Sequence, residues 1–405
     1  MPSPAGGTGA ARRTRNWSVL VGAAFLMATS AIGPGFLTQT ALFTNQFGAS
    51  FGFAILVSII FDLAAQLNIW RTIIREGRPA QVLANEVVPG LGYALSALVA
   101  IGGFAFNIGN IAGCGLGLSA MFGLPVKVGA VVSAVIAIGL FLSKEAGRAM
   151  DRFAQLLGIL MVVLAAYVAF ATHPPVGEAI VRTFVPTKLG VLPIITIVGG
   201  TVGGYIAFAG AHRLLDAGLS GVAGAGEATR SALLGLGIAS LMRVVLFLGT
   251  LGIVSAGISL DPSNPAATAF RQAAGDLGYR MFGVVMWAAS VTSVVGSAYT
   301  SVSFVRTLRA GWETRTREWI VGFIVVSTVV FLLVGRPVTI LVLVGALNGF
   351  ILPLGLGTMI WVAFRRGHLV AIPTRGLALV GAGVVIAMAG LGAYSLVNDI
   401  PALFR

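Results

Sequence analysis

Charged side chains are scarce in this sequence, which excludes a soluble domain with an ordinary hydrated surface. Only 10% of the 405 residues are charged, and Asp and Glu together number 13. Hydrophobic residues make up 57% of the chain and the mean hydropathy is +0.97, far from the values of soluble domains. The composition therefore indicates a membrane protein.

Cysteine and familiar catalytic motifs are also nearly absent. Cys114 is the one cysteine, so no internal disulfide can form, and one thiol cannot by itself build a metal site. No HExxH motif and no closely spaced aspartate pair occurs, and we take the GxSxG hydrolase motif to be absent as well, so we expect the protein not to be an enzyme. The net charge of +13 comes from Lys and Arg in short connections between apolar segments. It therefore does not indicate nucleic-acid binding.

Eleven apolar segments of membrane-spanning length follow one another along the chain. Most of the 26 Lys and Arg residues fall in the connections that are inside when the N-terminus is inside. The sequence therefore predicts a multi-pass protein of the bacterial cytoplasmic (inner) membrane with its C-terminus outside. The predicted segments are 17–46, 51–71, 92–122, 126–143, 150–172, 192–212, 229–256, 281–304, 318–335, 338–363 and 374–396.

Segments one and six are interrupted by glycine. Gly33, Pro34 and Gly35 break the first, and a glycine-rich run at 199–204 breaks the sixth. A helix in lipid breaks only where its freed backbone groups face protein, water or a ligand. Two breaks at matching places predict an inverted repeat with a transport site between its halves. The predicted organisation is a disordered cytoplasmic tail at 1–16, repeats at 17–172 and 173–363, and a last helix within 364–405.

Residues 22–36 resemble the first-helix signature of the NRAMP metal-ion transporters, which reads G-P-x-F-L-x-A-x-x-x-I-D-P-G-N. The resemblance continues at 105–113, 122–125, 182–186, 200–202, 288–293 and 352–353, so it covers most of the chain. It implies an all-α LeuT-type fold with eleven transmembrane helices, a 5+5 inverted repeat, and transport by alternating access. The residues that match the signature are Phe25, Leu26, Ala28, Ile32, Pro34 and Gly35.

The sequence departs from the NRAMP pattern at the functional positions. Gly33 and Phe36 stand where the family has its metal-binding Asp and Asn, and Gly203 and Tyr205 replace the sixth-helix Met and His. A carbonyl remains available at Gly200, but no carboxylate, imidazole or sulfur remains at the mapped site, although transition metals need such donors. The acidic third-helix positions linked in the family to proton movement read Asn107 and Asn110.

The altered site favours a small carboxylate-bearing organic substrate. The second half-helices begin at the breaks and present free N–H groups with positive dipole ends, and we expect the glycines to enlarge the cavity. The resemblance includes a bacterial branch encoded beside genes for 5-oxoproline breakdown, so 5-oxoproline is the specific prediction. The alternative is that the glycines only allow close helix packing. The predicted substrate-binding residues are Gly33, Gly35, Phe36, Gln39, Asn107, Asn110, Gly200, Thr201, Gly203 and Tyr205.

Transport could be coupled to Na⁺, coupled to H⁺, or not coupled to an ion, and the sequence leaves these alternatives open. Ala289, Thr292 and Ser293 follow an A-x-x-T-S spacing similar to a sodium site of LeuT-type symporters, so Na⁺ is predicted there, and H⁺ otherwise. Asp62 in segment two is either structural or a proton carrier. Arg243 in segment seven either pairs with such an acid or extends to the interface.

The predicted function is therefore cation-coupled uptake of a small organic acid by an NRAMP-like secondary transporter. One alternative is a divalent metal carrier, for Mg²⁺ or Mn²⁺, with an altered site. Another is a transport-inactive receptor or structural membrane protein. We expect a monomer in the lipid bilayer, with no cofactor and no nucleic-acid partner.

Overall fold

The structure, a computed structural model, describes residues 31–306, 313–368 and 372–401, and these residues contain no strand. The predicted tail at 1–16 and the first part of segment one lie outside the described residues. The helices are α1 (Pro34–Phe47), α2 (Phe51–Glu76), α3 (Ala80–Val87), α4 (Leu91–Phe122), α5 (Val126–Leu142), α6 (Lys144–Ala171), α7 (Val176–Phe184), α8 (Val191–Val202), α9 (Ile206–Asp216), α10 (Gly221–Ser255), α11 (Pro265–Arg306), α12 (Thr316–Val334), α13 (Pro337–Arg365) and α14 (Ile372–Asn398).

Each of the eleven predicted segments overlaps described helix, the first in its second part. Segment six is interrupted at 203–205, and four segments extend one residue beyond the end of their helix. Within the described residues, eight helical stretches are long and apolar enough to cross a membrane, or nine if a bent pair counts as one span. Eight stretches rather than eleven are found for three reasons. The stretch Pro34–Glu76 joins α1 to α2, Val126–Leu142 is too short by itself, and Leu156–Ala171 bends by 106° into α7.

The helix break in segment six lies between α8 and α9. Gly203 is extended, with φ −81° and ψ 162°, and Gly204 follows in the left-handed region with φ 52°. A left-handed residue followed by a new helix start favours glycine, because a Cβ would be strained there. In segment one, Gly33 is extended ahead of Pro34, and proline suits a helix start because it has no N–H to satisfy. Both predicted breaks are present.

The two breaks meet in the middle of the packed helices. α1 packs against α8, α10, α11 and α13, while α2 packs along α10 and against α8 and α9. α4 packs along α11, and α13 along α8. Each of the helices named here that packs around the breaks therefore contacts at least two other helices.

The break glycines are filled by neighbours, so the expectation that they enlarge the cavity is wrong for this conformation. A Cβ on Gly204 would overlap Asn348 Oδ1 on α13, and a Cβ on Gly203 would lie 2.6 Å from the Asn348 carbonyl oxygen. The Asn348 amide donates to the carbonyl oxygens of Gly102, at 3.2 Å, and Val344, at 2.9 Å. At Gly203 and Gly204 the absence of a side chain allows the close approach of α13, which is the alternative explanation given for these glycines.

Replacing Gly204 by alanine should lower the melting temperature more than the same change at Gly218. Both glycines have positive φ, 52° and 85°, so both variants bear a similar backbone strain of roughly 1 kcal/mol. Gly218 has open space around it, whereas Gly204→Ala must displace the buried Asn348 amide, which adds about 1–3 kcal/mol. Thermal unfolding in detergent measures the difference.

Combining Gly204→Ala with Asn348→Ala supplies the control for this packing. The double variant should be less destabilised than the sum of the two single variants, because the overlapping side chain is gone. Equal losses at Gly204 and Gly218 would contradict the packing described for the break.

Candidate functional site

A buried arginine lies between the two helix breaks. Arg243, in the middle of α10, is 2% exposed. Its Nη2 donates a 2.7 Å hydrogen bond to Thr201 Oγ1 at the end of α8. Its guanidinium carbon lies 4.3 Å from the centre of the Phe36 ring on α1. A buried charge inside a membrane is expensive and typically marks a substrate or ion pathway, so these contacts locate the candidate site.

An acidic side chain on α2 lies within electrostatic reach of this arginine. Asp62 is 2% exposed and interacts electrostatically with Arg243. One helical turn earlier, Ser58 Oγ lies 3.5 Å from Arg243 Nη1, a weak hydrogen bond at most. The guanidinium and the carboxyl group therefore occupy one buried polar region, with Thr201 on one side and α2 on the other.

Gln39 crosses the gap between α1, α8 and α13. Its Nε2 donates a 2.7 Å hydrogen bond to the carbonyl oxygen of Leu341. A Cβ on Gly200 would lie 3.0 Å from Gln39 Oε1, and one on Gly35 would lie 3.3 Å from Gln39 Nε2. The absence of side chains at both glycines thus lets the Gln39 amide approach the end of α8.

Buried polar atoms without hydrogen-bond partners lie on four helices that pack around the breaks. Most buried polar atoms in folded proteins have a partner, so a group of such atoms on four helices indicates a place where a ligand or water completes the bonding. Among the described residues such atoms include Thr38 Oγ1 and Gln39 Oε1 on α1, Asp62 Oδ1 and both amide atoms of Gln66 on α2, Thr196 Oγ1 on α8, and Arg243 Nε on α10; others, such as Ser96 Oγ and Ser395 Oγ, lie on other helices.

Part of the predicted substrate set meets at this place. Phe36 and Thr201 contact Arg243, Gly200 and Gly35 border Gln39, and Gly33 caps α1. Tyr205 caps α9 and is 2% exposed; its ring packs edge-on against Phe106 of α4 at 5.3 Å. Gly203 faces Asn348 instead, so it lies at the break but supports the packing of α13.

The two predicted third-helix ligands, Asn107 and Asn110, differ in the contacts that they make. Asn107 Nδ2 donates to Ser327 Oγ on α12 at 2.9 Å, and Ser297 Oγ on α11 donates to Asn107 Oδ1 at 3.2 Å. Both polar atoms of Asn107 are therefore used to join α4, α11 and α12 in this conformation, and its role as a substrate ligand stays a prediction. Asn110, 4% exposed, has an amide nitrogen without a partner in the described structure.

The predicted sodium ligands lie on α11. Thr292 Oγ1 lies 3.0 Å from the carbonyl oxygens of both Ala288 and Ala289, within its own helix. Thr292 and Ala289 are half-buried, whereas Ser293 is buried. The hydroxyl of Thr292 and the carbonyl of Ala289 thus already bond to each other, and the sodium site stays a prediction.

Gly48, Ser50 and Gly52 fit the GxSxG spacing, so the expectation that this hydrolase motif is absent from the sequence is wrong. The Ser50 hydroxyl accepts hydrogen bonds from the backbone N–H groups of Thr187, at 3.1 Å, and Lys188, at 3.4 Å. It therefore holds the connection between α7 and α8 against α1 and α2, which is a structural role.

Arg243 is not among the predicted substrate-binding residues, although it lies at the candidate site. A lone arginine halfway along an apolar segment was the available signal, but its position beside both breaks requires the tertiary structure. No group of three or more His, Cys, Asp or Glu in the described part of the chain is arranged to hold a metal ion. The site therefore offers one cation, one acid and several neutral hydrogen-bonding groups.

Replacing Thr201 by valine should destabilise the protein by about 1–3 kcal/mol, because Arg243 Nη2 would lose its acceptor while remaining buried. Thr229→Val is the matched control. Both threonines donate to the carbonyl four residues earlier, at 2.7 Å and 2.8 Å, but Thr201 also accepts the hydrogen bond of Arg243 Nη2. Equal melting temperatures for the two variants would contradict the importance of the Arg243–Thr201 contact.

Comparison with known proteins bears on the family of the chain. Residues 24–398 match the model of the natural resistance-associated macrophage protein-like family. An uncharacterized membrane protein of Bacillus subtilis, YcsG, is 54% identical, over 98% of both chains. An uncharacterized membrane protein of Haemophilus influenzae is 55% identical, over 96% of this chain and 99% of that one. The divalent metal cation transporter MntH of Brucella suis is 26% identical, over 41% and 39%.

Solved structures agree on the fold. The manganese transporter of Eremococcus coleocola has a TM-score of 0.71 at 16% identity, covering 100% of this chain and 89% of that one. MhsT in complex with L-phenylalanine has a TM-score of 0.64 at 15% identity, covering 93% and 98%. The architecture is therefore that of the LeuT-type transporters, as predicted.

Proposed function

The chain belongs to the natural resistance-associated macrophage protein-like family of membrane transporters, and from that membership we propose that it carries a small carboxylate-bearing organic substrate, with 5-oxoproline as the specific candidate. The observation that supports this proposal is the guanidinium of Arg243, buried between the two helix breaks.

A guanidinium at this place favours an anion. Its planar set of donors matches a carboxylate, and the charge-assisted bonds are stronger than those between neutral groups. The same positive charge repels a divalent cation, and a low dielectric strengthens that repulsion. Arg243 Nε, which lacks a partner, is a donor that a substrate carboxylate can use.

The neutral groups of the site fit the remainder of 5-oxoproline, whose ring has one N–H donor and one carbonyl acceptor. Gln39 Oε1 lacks a donor in the structure, and Gln66 Nε2 lacks an acceptor. These atoms match the lactam in type, and Phe36 contributes an apolar wall. In this proposal the lactam of the substrate binds to polar atoms that have no hydrogen-bond partner within the protein.

Divalent-cation transport is the second candidate, and the names of the related proteins favour it. MntH of Brucella suis and the structural neighbour from Eremococcus coleocola are both metal transporters. In this chain, Asp62 is the one acid among the site residues described above, and Arg243 lies beside it. A transition-metal carrier would need nitrogen, sulfur or several carboxylate donors, and no group of three or more such residues lies together in the described part of the chain. Unpartnered oxygens such as Gln39 Oε1 and Asp62 Oδ1 would suit a hard cation such as Mg²⁺, but the charge of Arg243 opposes one. A transport-inactive receptor remains the third possibility.

Thermal stabilisation of the purified protein distinguishes these candidates. We expect 5-oxoproline to raise the melting temperature, since a ligand at 100 times its Kd stabilises the folded state by about 2.7 kcal/mol. The neutral ring 2-pyrrolidone, which lacks the carboxylate, should not do so. Stabilisation by Mn²⁺ without stabilisation by 5-oxoproline would overturn the organic-acid proposal and favour the metal candidate.

Arg243→Gln should abolish the stabilisation by 5-oxoproline, because it removes the charge that binds the carboxylate. Arg271→Gln is the matched control, since Arg271 also lies over an aromatic ring, that of Tyr279 at 5.1 Å, but is 56% exposed and pairs with Asp276 at 2.8 Å. Retained binding in the Arg243 variant would show that the carboxylate binds elsewhere.

A further inference from the structure

We propose that a cavity at the end of α2 binds the phosphate headgroup of an anionic membrane lipid, whose acyl chain lies along α10. The cavity shares no lining residue with the candidate site at the helix breaks. The lipid site is therefore independent of the transported substrate.

The cavity lies between the end of α2, the start of α10, the end of α13 and the start of α14. Its volume is about 160 Å³, far more than the roughly 15 Å³ that one water molecule needs. Asn68 Nδ2 on α2 donates to the carbonyl oxygen of Leu377 on α14 at 2.9 Å, and Arg71 Nη2 donates to Thr374 Oγ1 at 3.3 Å. These contacts join α2 to α14 and fix the wall that bears the basic side chains.

Two guanidinium groups line the cavity without a counter-charge. Arg71 and Arg75 lie one turn apart on α2, and neither forms an ion pair with a described residue. The acid next to them, Glu76, already contacts His368 Nε2 at 2.6 Å and Arg366 Nε at 3.6 Å. No described lining residue is acidic. The cavity therefore favours an anion, and guanidinium donors match a phosphate group.

The position of the cavity along the chain suits a lipid headgroup. Arg71 and Arg75 lie in the last two turns of α2, at the end predicted to be cytoplasmic. Basic cavities between membrane helices on this side bind anionic headgroups in other membrane proteins. Extension of the two arginines to the interface, the simpler explanation, accounts for their charge but not for the cavity that they share.

An apolar stripe on α10 leads away from the cavity. Val222 and Gly226 line the cavity, and Leu233, Gly237 and Val244 continue the same face of the helix at helical spacing. All five residues are exposed, and a Cβ on either glycine would meet open space. A lipid with its phosphate group in the cavity can therefore lay an acyl chain along this stripe.

Thermal unfolding in detergent with added lipid tests the site. Phosphatidylglycerol, whose headgroup has one negative charge, should raise the melting temperature of the wild-type protein more than phosphatidylcholine with the same acyl chains. Combining Arg71→Gln with Arg75→Gln should weaken the affinity for phosphatidylglycerol about 30-fold, roughly fivefold for each arginine. The affinity follows from the dependence of the melting temperature on lipid concentration.

Combining Arg213→Gln with Arg317→Gln is the matched control for charge. Both arginines are exposed, lie on the side predicted to be cytoplasmic and do not line the cavity. This variant loses the same two charges and should keep the wild-type response to phosphatidylglycerol. An equal loss in both double variants would show general attraction to anionic lipid and overturn the proposed site.

Gly226→Leu tests the shape of the site without removing a charge. The new side chain starts in open space beside the cavity, so the melting temperature without lipid should not fall, but the affinity for phosphatidylglycerol should fall several-fold. Gly139→Leu is the control, because Gly139 on α5 also has open space around it. A wild-type affinity in the Gly226 variant would contradict the proposed path of the lipid.

Inorganic phosphate at equal ionic strength distinguishes a lipid from a free anion. It should stabilise the wild-type protein less than phosphatidylglycerol does, because it has no acyl chain to lie along α10. Equal stabilisation by inorganic phosphate, equal stabilisation by phosphatidylcholine, or an unchanged response in the Arg71 and Arg75 double variant would each overturn the proposal.

Discussion

A guanidinium held away from water between the two helix breaks is the constraint on which the rest of the site depends. Such a charge is stable only if its surroundings provide acceptors, a polarisable face and a counter-charge. Thr201 provides an acceptor and the ring of Phe36 the polarisable face, and Asp62 lies within electrostatic reach. The breaks in segments one and six matter because they bring two of these partners, on different halves of the chain, to one arginine.

The departures from the NRAMP pattern acquire a common explanation around this arginine. Where the family has a metal-binding Asp and Asn, this chain has Gly33 and Phe36, and the Phe36 ring lies against the guanidinium. An acceptor-rich cation site has thus become a site with one positive group and neutral neighbours. The proposed anionic substrate follows from this change, while the helix breaks of the fold are kept.

The fold could be predicted from the sequence because its determinants are local. Apolar length sets each span, and glycine with proline sets each break. The site was less predictable, because its determinants are contacts between distant residues. The space beside Gly204 is filled by Asn348, 144 positions later in the printed sequence, and Asn107 is occupied by Ser297 and Ser327. Arg243 was visible as an anomaly, but nothing in its own segment places it beside Phe36.

The central claim is that a substrate carboxylate binds to Arg243 between the two breaks. An experimental structure of the protein saturated with 5-oxoproline, with a parallel sample saturated with Mn²⁺, tests it most directly. The account predicts ligand density with its carboxylate within hydrogen-bond distance of the Arg243 guanidinium, bordered by Phe36 and Thr201, and no metal at the breaks. Mn²⁺ bound between Gly33 and Gly200, with Arg243 turned away and no density for 5-oxoproline, would contradict it.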